Sequence, residues 1–197
     1  MQDLRSCCLL VVGLSVAVGS GAQIAAARHD IDPRTSTVTV HVKKAGVFRA
    51  FGDDHEVRAP IKTGSIDDAP TGVVDLLIDA SQMRVLDPGL SDADRHEVQE
   101  RMLGPEVLEV AKYPEIRFRS TSIDRTADGW RVTGQLTLHG ATRPIVVAVT
   151  KDRAHYRGTA SFKQTDFGIT PVSVAGGTVK VKDEVSIDFD IATRSNP

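Results

Sequence analysis

The chain has 197 residues, 41% hydrophobic and 25% charged, with 24 basic side chains against 26 acidic ones and a formal net charge of -2. The two signs are scattered along the chain, which excludes the clustered basic face expected of a nucleic-acid binder or of a protein drawn to an anionic membrane surface. Both cysteines, Cys7 and Cys8, fall within the first ten residues, so the rest of the chain has to be stable by packing alone, without disulfides.

The first segment reads as an export signal. Arg5 precedes an apolar run from Cys7 to Val18 that is short for a bilayer span, and Ala25, Ala26 and Ala27 offer a small-residue cleavage site before Arg28. A retained amino-terminal anchor is the alternative. The residues before Cys8 do not form a lipoprotein cleavage box. We therefore divide the chain into a signal peptide at 1–27 and one domain at 28–197, periplasmic or secreted, with no integral membrane segment after signal removal. The 170 remaining residues suffice to bury a single core.

Strand patterning dominates that domain. Thr35 to Val42 alternates with Val38, Val40 and Val42 on one face. His55 to Gly64 is a second run, with Pro60 marking an edge or a bulge, and Gly72 to Asp79 is a third with Val74, Leu76 and Ile78 in phase. The period then changes. Ser91 with Asp94 resembles a helix cap, and Val98 and Met102 stand one turn apart in a charged stretch that Gly104 ends. Pro105 is placed to open a second short helix running to Ala111, with Tyr113 and Pro114 closing the insert.

Five more strands follow: Ile116 to Ile123, Trp130 to Leu138, Thr142 to Thr150, Ala154 to Thr165 and Lys180 to Ile191. Asp128-Gly129, His139-Gly140 and Lys151-Asp152 are turn formers between neighbours close in sequence, which makes those neighbours antiparallel. Eight strands with one oily face, and almost no helix to cover it, call for an all-β fold. The economical form is an eight-stranded antiparallel barrel, either filled by its own side chains or able to hold one small apolar guest.

Several of these segments also resemble a known family. Asp166-Phe167-Gly168-Ile169, followed by the run from Gly176 to Val185, is similar to the terminal signature of the YceI-like, lipid/polyisoprenoid-binding proteins. The segment from Lys112 to Thr121 resembles that family's helix-to-strand junction, and Val132–Gly140 with Thr142–Pro144 resembles its central hairpin. The resemblance covers roughly Ile31 to Ile191 and implies a lipocalin-like barrel with a helical insert. Two departures stand out. Lys43, Lys44, Ala45 and Gly46 occupy the place of an Arg-His pair found in many members, and Gly52-Asp53-Asp54-His55 keeps only the second histidine of a Gly-His-x-His turn.

The expected function is binding of a long-chain isoprenoid or similar amphiphilic lipid inside the barrel, as an exported carrier, storage or protective protein. The alternative is a filled barrel acting as a structural or interaction module of the cell envelope. Burial of ten methylenes offers about 8 kcal/mol before association costs, so a guest needs no charged anchor. The candidate ligand-binding residues are Val38, Val40, Leu76, Phe118, Leu136, Tyr156, Phe162 and Phe189, taken from the inward phase of several strands, and Tyr156 can also offer its hydroxyl to a head group. Small residues on that phase, Gly134, Gly158 and Ala160, either leave open volume or relieve bending of the sheet. The six histidines lack metal-ligand spacing and read as solvated, and no nucleophile elbow is present. No enzyme activity, cofactor or metal is expected, and a homodimer is compatible with the sequence.

Overall fold

Residues 28–45, 54–67, 69, 72–174 and 179–194 are described by the structure, a computed structural model. The signal read in residues 1–27 and the Gly52-Asp53 part of the histidine turn lie outside them. Among the described residues the alternating runs form twelve strands. They are β1 (Arg28–Asp30), β2 (Thr37–Ala45), β3 (His55–Arg58), β4 (Ile61–Asp67), β5 (Val74–Asp79), β6 (Arg84–Val85), β7 (Glu115–Arg125), β8 (Trp130–Leu138), β9 (Ala141–Asp152), β10 (His155–Lys163), β11 (Ser173–Val174) and β12 (Val179–Ala192). One helix, α1 (Asp92–Leu103), interrupts them between β6 and β7.

Each of the eight expected runs is present. The count rises to twelve because the second run is cut into β3 and β4 at Ala59-Pro60, and because β1, β6 and β11 add two or three residues each. All pairings are antiparallel, in the order β1-β4-β5-β7-β8-β9-β10-β12-β2-β3-β6, with β11 on β12. Since β3 pairs with β2 and β4 pairs with β5, the two halves of one run return the sheet upon itself. Proline supplies no N–H, and at this switch of partners none is needed: the Ala59 N–H bonds the Val38 carbonyl at 2.9 Å, while the Pro60 carbonyl accepts from Asp79 at 3.3 Å. A bridge between Ile31 and Thr193 adds a second closure.

The turns depart from expectation in two places. His139 and Gly140, both at positive φ, make the β8–β9 turn as expected, but Lys151 and Asp152 continue β9 and the chain reverses at Arg153, at φ 55°. The segment after Gly104 forms no second helix. Its turns are tied back to α1 by Leu108 N–H to Met102 O and Val110 N–H to Leu103 O, both 3.1 Å. That wrap buries Leu108 and holds Val107 and Val110 against the core, a tertiary gain that outweighs the preference of Pro105 for opening a helix.

The inward glycines leave no open volume. A Cβ on Gly134 would stand 2.5 Å from Phe118 Cε2, and one on Gly158 would stand 2.8 Å from Phe189 Cζ, so aromatic rings already lie across both. Beside Gly134 the ladder with β7 slips by one residue between Ser120 and Ser122, a bulge that bends the wall. On the outside, β10 and β12 are joined at Asp190, which lies 2.6 Å from His155 Nδ1 and accepts from Arg157 Nε at 2.7 Å. Burial is the largest influence on that carboxyl and raises it, but the two partners outweigh burial and hold it below the ordinary carboxylate value.

Gly134→Ala is expected to lower stability by about 1–3 kcal/mol through overpacking against Phe118, read as a lower midpoint in thermal or urea unfolding. A carboxylate lowered in the folded state contributes stability above the ordinary carboxylate pKa, and that contribution is lost as pH falls through the folded value. Asp190→Asn should therefore flatten the acid limb of stability against pH, measured by denaturation at pH 2 to 7.

Candidate ligand-binding bore

Inside the curled sheet the inward side chains surround an oily bore made of two compartments, with a third at its mouth. The innermost, about 130 Å³, lies toward the Trp130 end and is walled by Val38, Leu76, Phe118, Leu136, Tyr156 and Phe189 among others. The middle compartment, about 120 Å³, contains Val40, Phe162 and again Val38 and Leu136. The two share five walls, Val38, Ile78, Ile116, Leu136 and Ile187, so they adjoin without a polar partition. All eight candidate residues thus face this interior, six on the inner compartment and Val40 and Phe162 on the middle one.

The mouth compartment is larger, about 320 Å³, and shares Val42, Val57, Met102, Val107 and Gln164 with the middle one. Its rim changes character. Lys44, His55, Lys180 and Arg101 stand with Asp94 and Glu97 around it. Along its length the passage therefore runs from an apolar interior to a wet mouth of mixed charge, an arrangement suited to a molecule with an oily body and a polar end.

Helix α1 lies over this mouth. Ser91 caps it by accepting the Asp94 N–H at 3.2 Å, and Gly104 ends it. Val98 and Met102 point down onto the core, while charged residues face water. A side-chain clamp fixes its position: Gln99 Nε2 donates to the Met83 carbonyl and Gln99 Oε1 accepts the Val85 N–H, both at 2.8 Å. Arg95 adds bonds to the carbonyls of Asp87 and Leu90 at 3.2 and 2.9 Å.

Two histidines depart from the solvated reading. His55 Nδ1 lies 2.6 Å from Asp87 Oδ2, and the other oxygen of that carboxylate, which is only 2% exposed, accepts the Glu56 N–H at 2.7 Å. His139 is wedged edge-on against Tyr113, ring centres 4.9 Å apart, with its Nε2 enclosed and 3.7 Å from Glu109 Oε2. Residues 86–90 and 105–113 carry no periodicity, so only the folded chain brings Asp87 and Glu109 to these rings. Asp166 and Phe167 form a 3-10 turn at the barrel rim, which Gly168 closes at φ 73°. Phe167 is 1% exposed and packs edge-on against Phe162.

In the two inner compartments Tyr156 is the one titratable side chain among the described residues of the walls. Among the described residues no three His, Cys, Asp or Glu side chains gather as a metal site, and no helix is long and apolar enough to cross a membrane.

A curled antiparallel sheet around an oily interior, with one helix across an end, is a lipocalin-like barrel. More particularly, the chain belongs to the YceI-like family, whose domain matches residues 29–193. Curated relatives include a UPF0312 protein of Pseudomonas syringae pv. tomato, 47% identical over 76 residues, and one of Yersinia pestis, 30% identical over 96 residues. These matches cover 32% and 44% of this chain, and the chain spans only 38% and 50% of those relatives' lengths. Among solved structures, Burkholderia cenocepacia BcnA shares the fold with a TM-score of 0.59 at 22% identity, covering 84% of this chain and 99% of its own. A polyisoprenoid binding domain from Saccharophagus degradans, implicated in plant cell wall breakdown, gives 0.54 at 16% identity, covering 85% of this chain and 98% of its own.

Gln99→Ala should remove the clamp on α1 and leave the sheet in place. Amide exchange across 92–103 is expected to quicken at least severalfold while strands β8 to β10 stay protected, as read by hydrogen-exchange mass spectrometry.

Proposed function

We propose that this protein binds a long-chain isoprenoid or a comparable amphiphilic lipid inside the barrel, as an exported carrier, storage or protective protein. The observation that carries the reading is the pair of adjoining apolar compartments between the Trp130 end and the mouth under α1, with all eight candidate residues on their walls. Family membership supports it, and so does the fold shared with a polyisoprenoid binding domain. The interior compartments are walled by aliphatic and aromatic side chains with Met83, Met102 and one amide, Gln164, and Tyr156 is their one titratable residue among the described residues, a lining fit for burying an alkyl tail and poor in groups for acid–base or nucleophilic chemistry. The export part of the proposal rests on the signal read in residues 1–27.

The test is mass spectrometry of organic extracts from protein purified from its native host. One lipid per barrel is expected, and Ala160→Phe, which places a ring in the inner compartment, should lower that occupancy at least tenfold. Val146→Asp on the exposed outer face should leave it intact, and circular dichroism would verify that both variants fold. Repeated absence of stoichiometric lipid from the unaltered protein would favour a filled structural or interaction module instead.

A further inference from the structure

One pair of side chains beside α1 has the form of an acid–base dyad. Asp87 is 2% exposed, and both of its oxygens are engaged: Oδ1 accepts the Glu56 N–H at 2.7 Å and Oδ2 lies 2.6 Å from His55 Nδ1. A carboxylate only accepts, so the His55 ring carries its proton on Nδ1 and its lone pair on Nε2. The main chain holds the acid in place from behind. The Asp87 carbonyl accepts from Arg95 Nε and from the Leu90 N–H, both at 3.2 Å, and the Leu86 N–H bonds the Glu56 carbonyl at 2.8 Å.

His55 lines the mouth compartment and Asp87 does not, so the ring stands between a buried carboxylate and an open space of about 320 Å³. Among the described residues Nε2 has no hydrogen-bond partner. A histidine oriented through one nitrogen by a buried acid, with the other nitrogen left to a cavity, is the arrangement of a general base.

The same face carries a cation. Val42 stands opposite His55 across the β2–β3 ladder and Lys44 follows two residues on, which sets the Lys44 backbone roughly 7–8 Å from that of His55. Lys44 also lines the compartment, and the Asp54 carboxylate accepts its backbone N–H at 3.0 Å. The other charged groups around this space are Lys180 and three residues of α1. Arg101 is paired with Glu97 at 3.2 Å, and Asp94 accepts the hydroxyl of the capping Ser91 at 2.7 Å.

We propose that the mouth compartment is a hydrolytic site for a short-chain carboxylic ester, with His55 as the general base, Asp87 as its positioning residue and Lys44 set toward the carbonyl oxygen on which charge develops. His55 Nε2 takes a proton from a water as the water oxygen bonds to the ester carbonyl carbon. The bond from that carbon to the alkoxy oxygen then breaks, and the imidazolium returns the proton to the leaving alkoxide. One ester and one water become one carboxylic acid and one alcohol. Asp87 keeps its charge throughout and balances that of the imidazolium, while a cation facing the tetrahedral oxyanion stabilises it more than the neutral ester. Val57, Val98 and Val107 supply an aliphatic wall for the acyl chain. The two inner compartments take no part, so the proposal stands apart from the lipid reading.

The full protein is assayed with p-nitrophenyl butyrate, following release of nitrophenolate. Saturable turnover is expected. His55→Ala should lower kcat about 100-fold, the scale of one general base, and Asp87→Asn about tenfold or more with KM within twofold. Added imidazole should restore turnover to folded His55→Ala and leave Asp87→Asn unchanged, a difference that a purely structural role of the pair would not produce. His96→Gln, on the exposed side of α1, should leave turnover intact and so separates this site from hydrolysis by any surface imidazole.

Absence of saturable turnover by the unaltered protein overturns the proposal. So does turnover that survives His55→Ala, that falls equally in His96→Gln, or that imidazole fails to restore. Circular dichroism verifies each fold, and His55→Gln carries the loss-of-turnover test should the alanine variant not fold. Lipid recovered from the native host bears on the other reading alone.

Discussion

An antiparallel sheet with one oily face has to curl until that face meets itself, and here the curl turns on Ala59-Pro60. A straight strand presents its two edges to two neighbours along its whole length. The break lets one run give its first half, His55–Arg58, to β2 and its second half, Ile61–Asp67, to β5. Proline lacks the donor that an uninterrupted ladder requires, so the residue that would weaken a central strand is suited to the point where the chain changes partners. Through that change a single run serves strands toward both ends of the strand order, which turns the apolar faces toward one another.

Closure then determines how the interior is filled. Large rings from one strand lie across glycines of the next, Phe118 on Gly134 and Phe189 on Gly158, and this narrows the bore. What free space remains lies between aliphatic walls, divided by shared side chains rather than by polar groups. The interior is consequently a solvent for hydrocarbon, and the polar discrimination available to it is confined to the two ends.

Those ends are built by different means. At the mouth, α1 is held by the Gln99 clamp and by apolar contacts of Val98 and Met102, a modest attachment beside the hydrogen-bonded ladders of the wall. At the Trp130 end the strands themselves supply the rim, because the inward phase continues past the last apolar residues into Arg125 and Lys151. One end is thus covered by a helix held through side-chain contacts and the other is bounded by the strands themselves, which gives the bore a direction.

The two-residue period by itself determined the eight runs, their antiparallel neighbours and the inward phase, and so it located Val38, Val40, Leu76, Phe118, Leu136, Tyr156, Phe162 and Phe189 on the interior walls. Ser91 and Gly104 likewise marked the helix, since caps and periodicity are local properties of the backbone. Only the tertiary structure decided that the segment from Pro105 wraps back as turns, that the inward glycines are covered by rings, and that His55 meets Asp87 and His139 meets Glu109. Each of these depends on chain segments distant in sequence or on the volume left once neighbours are in place, and neither quantity has a period that a one-dimensional pattern can carry.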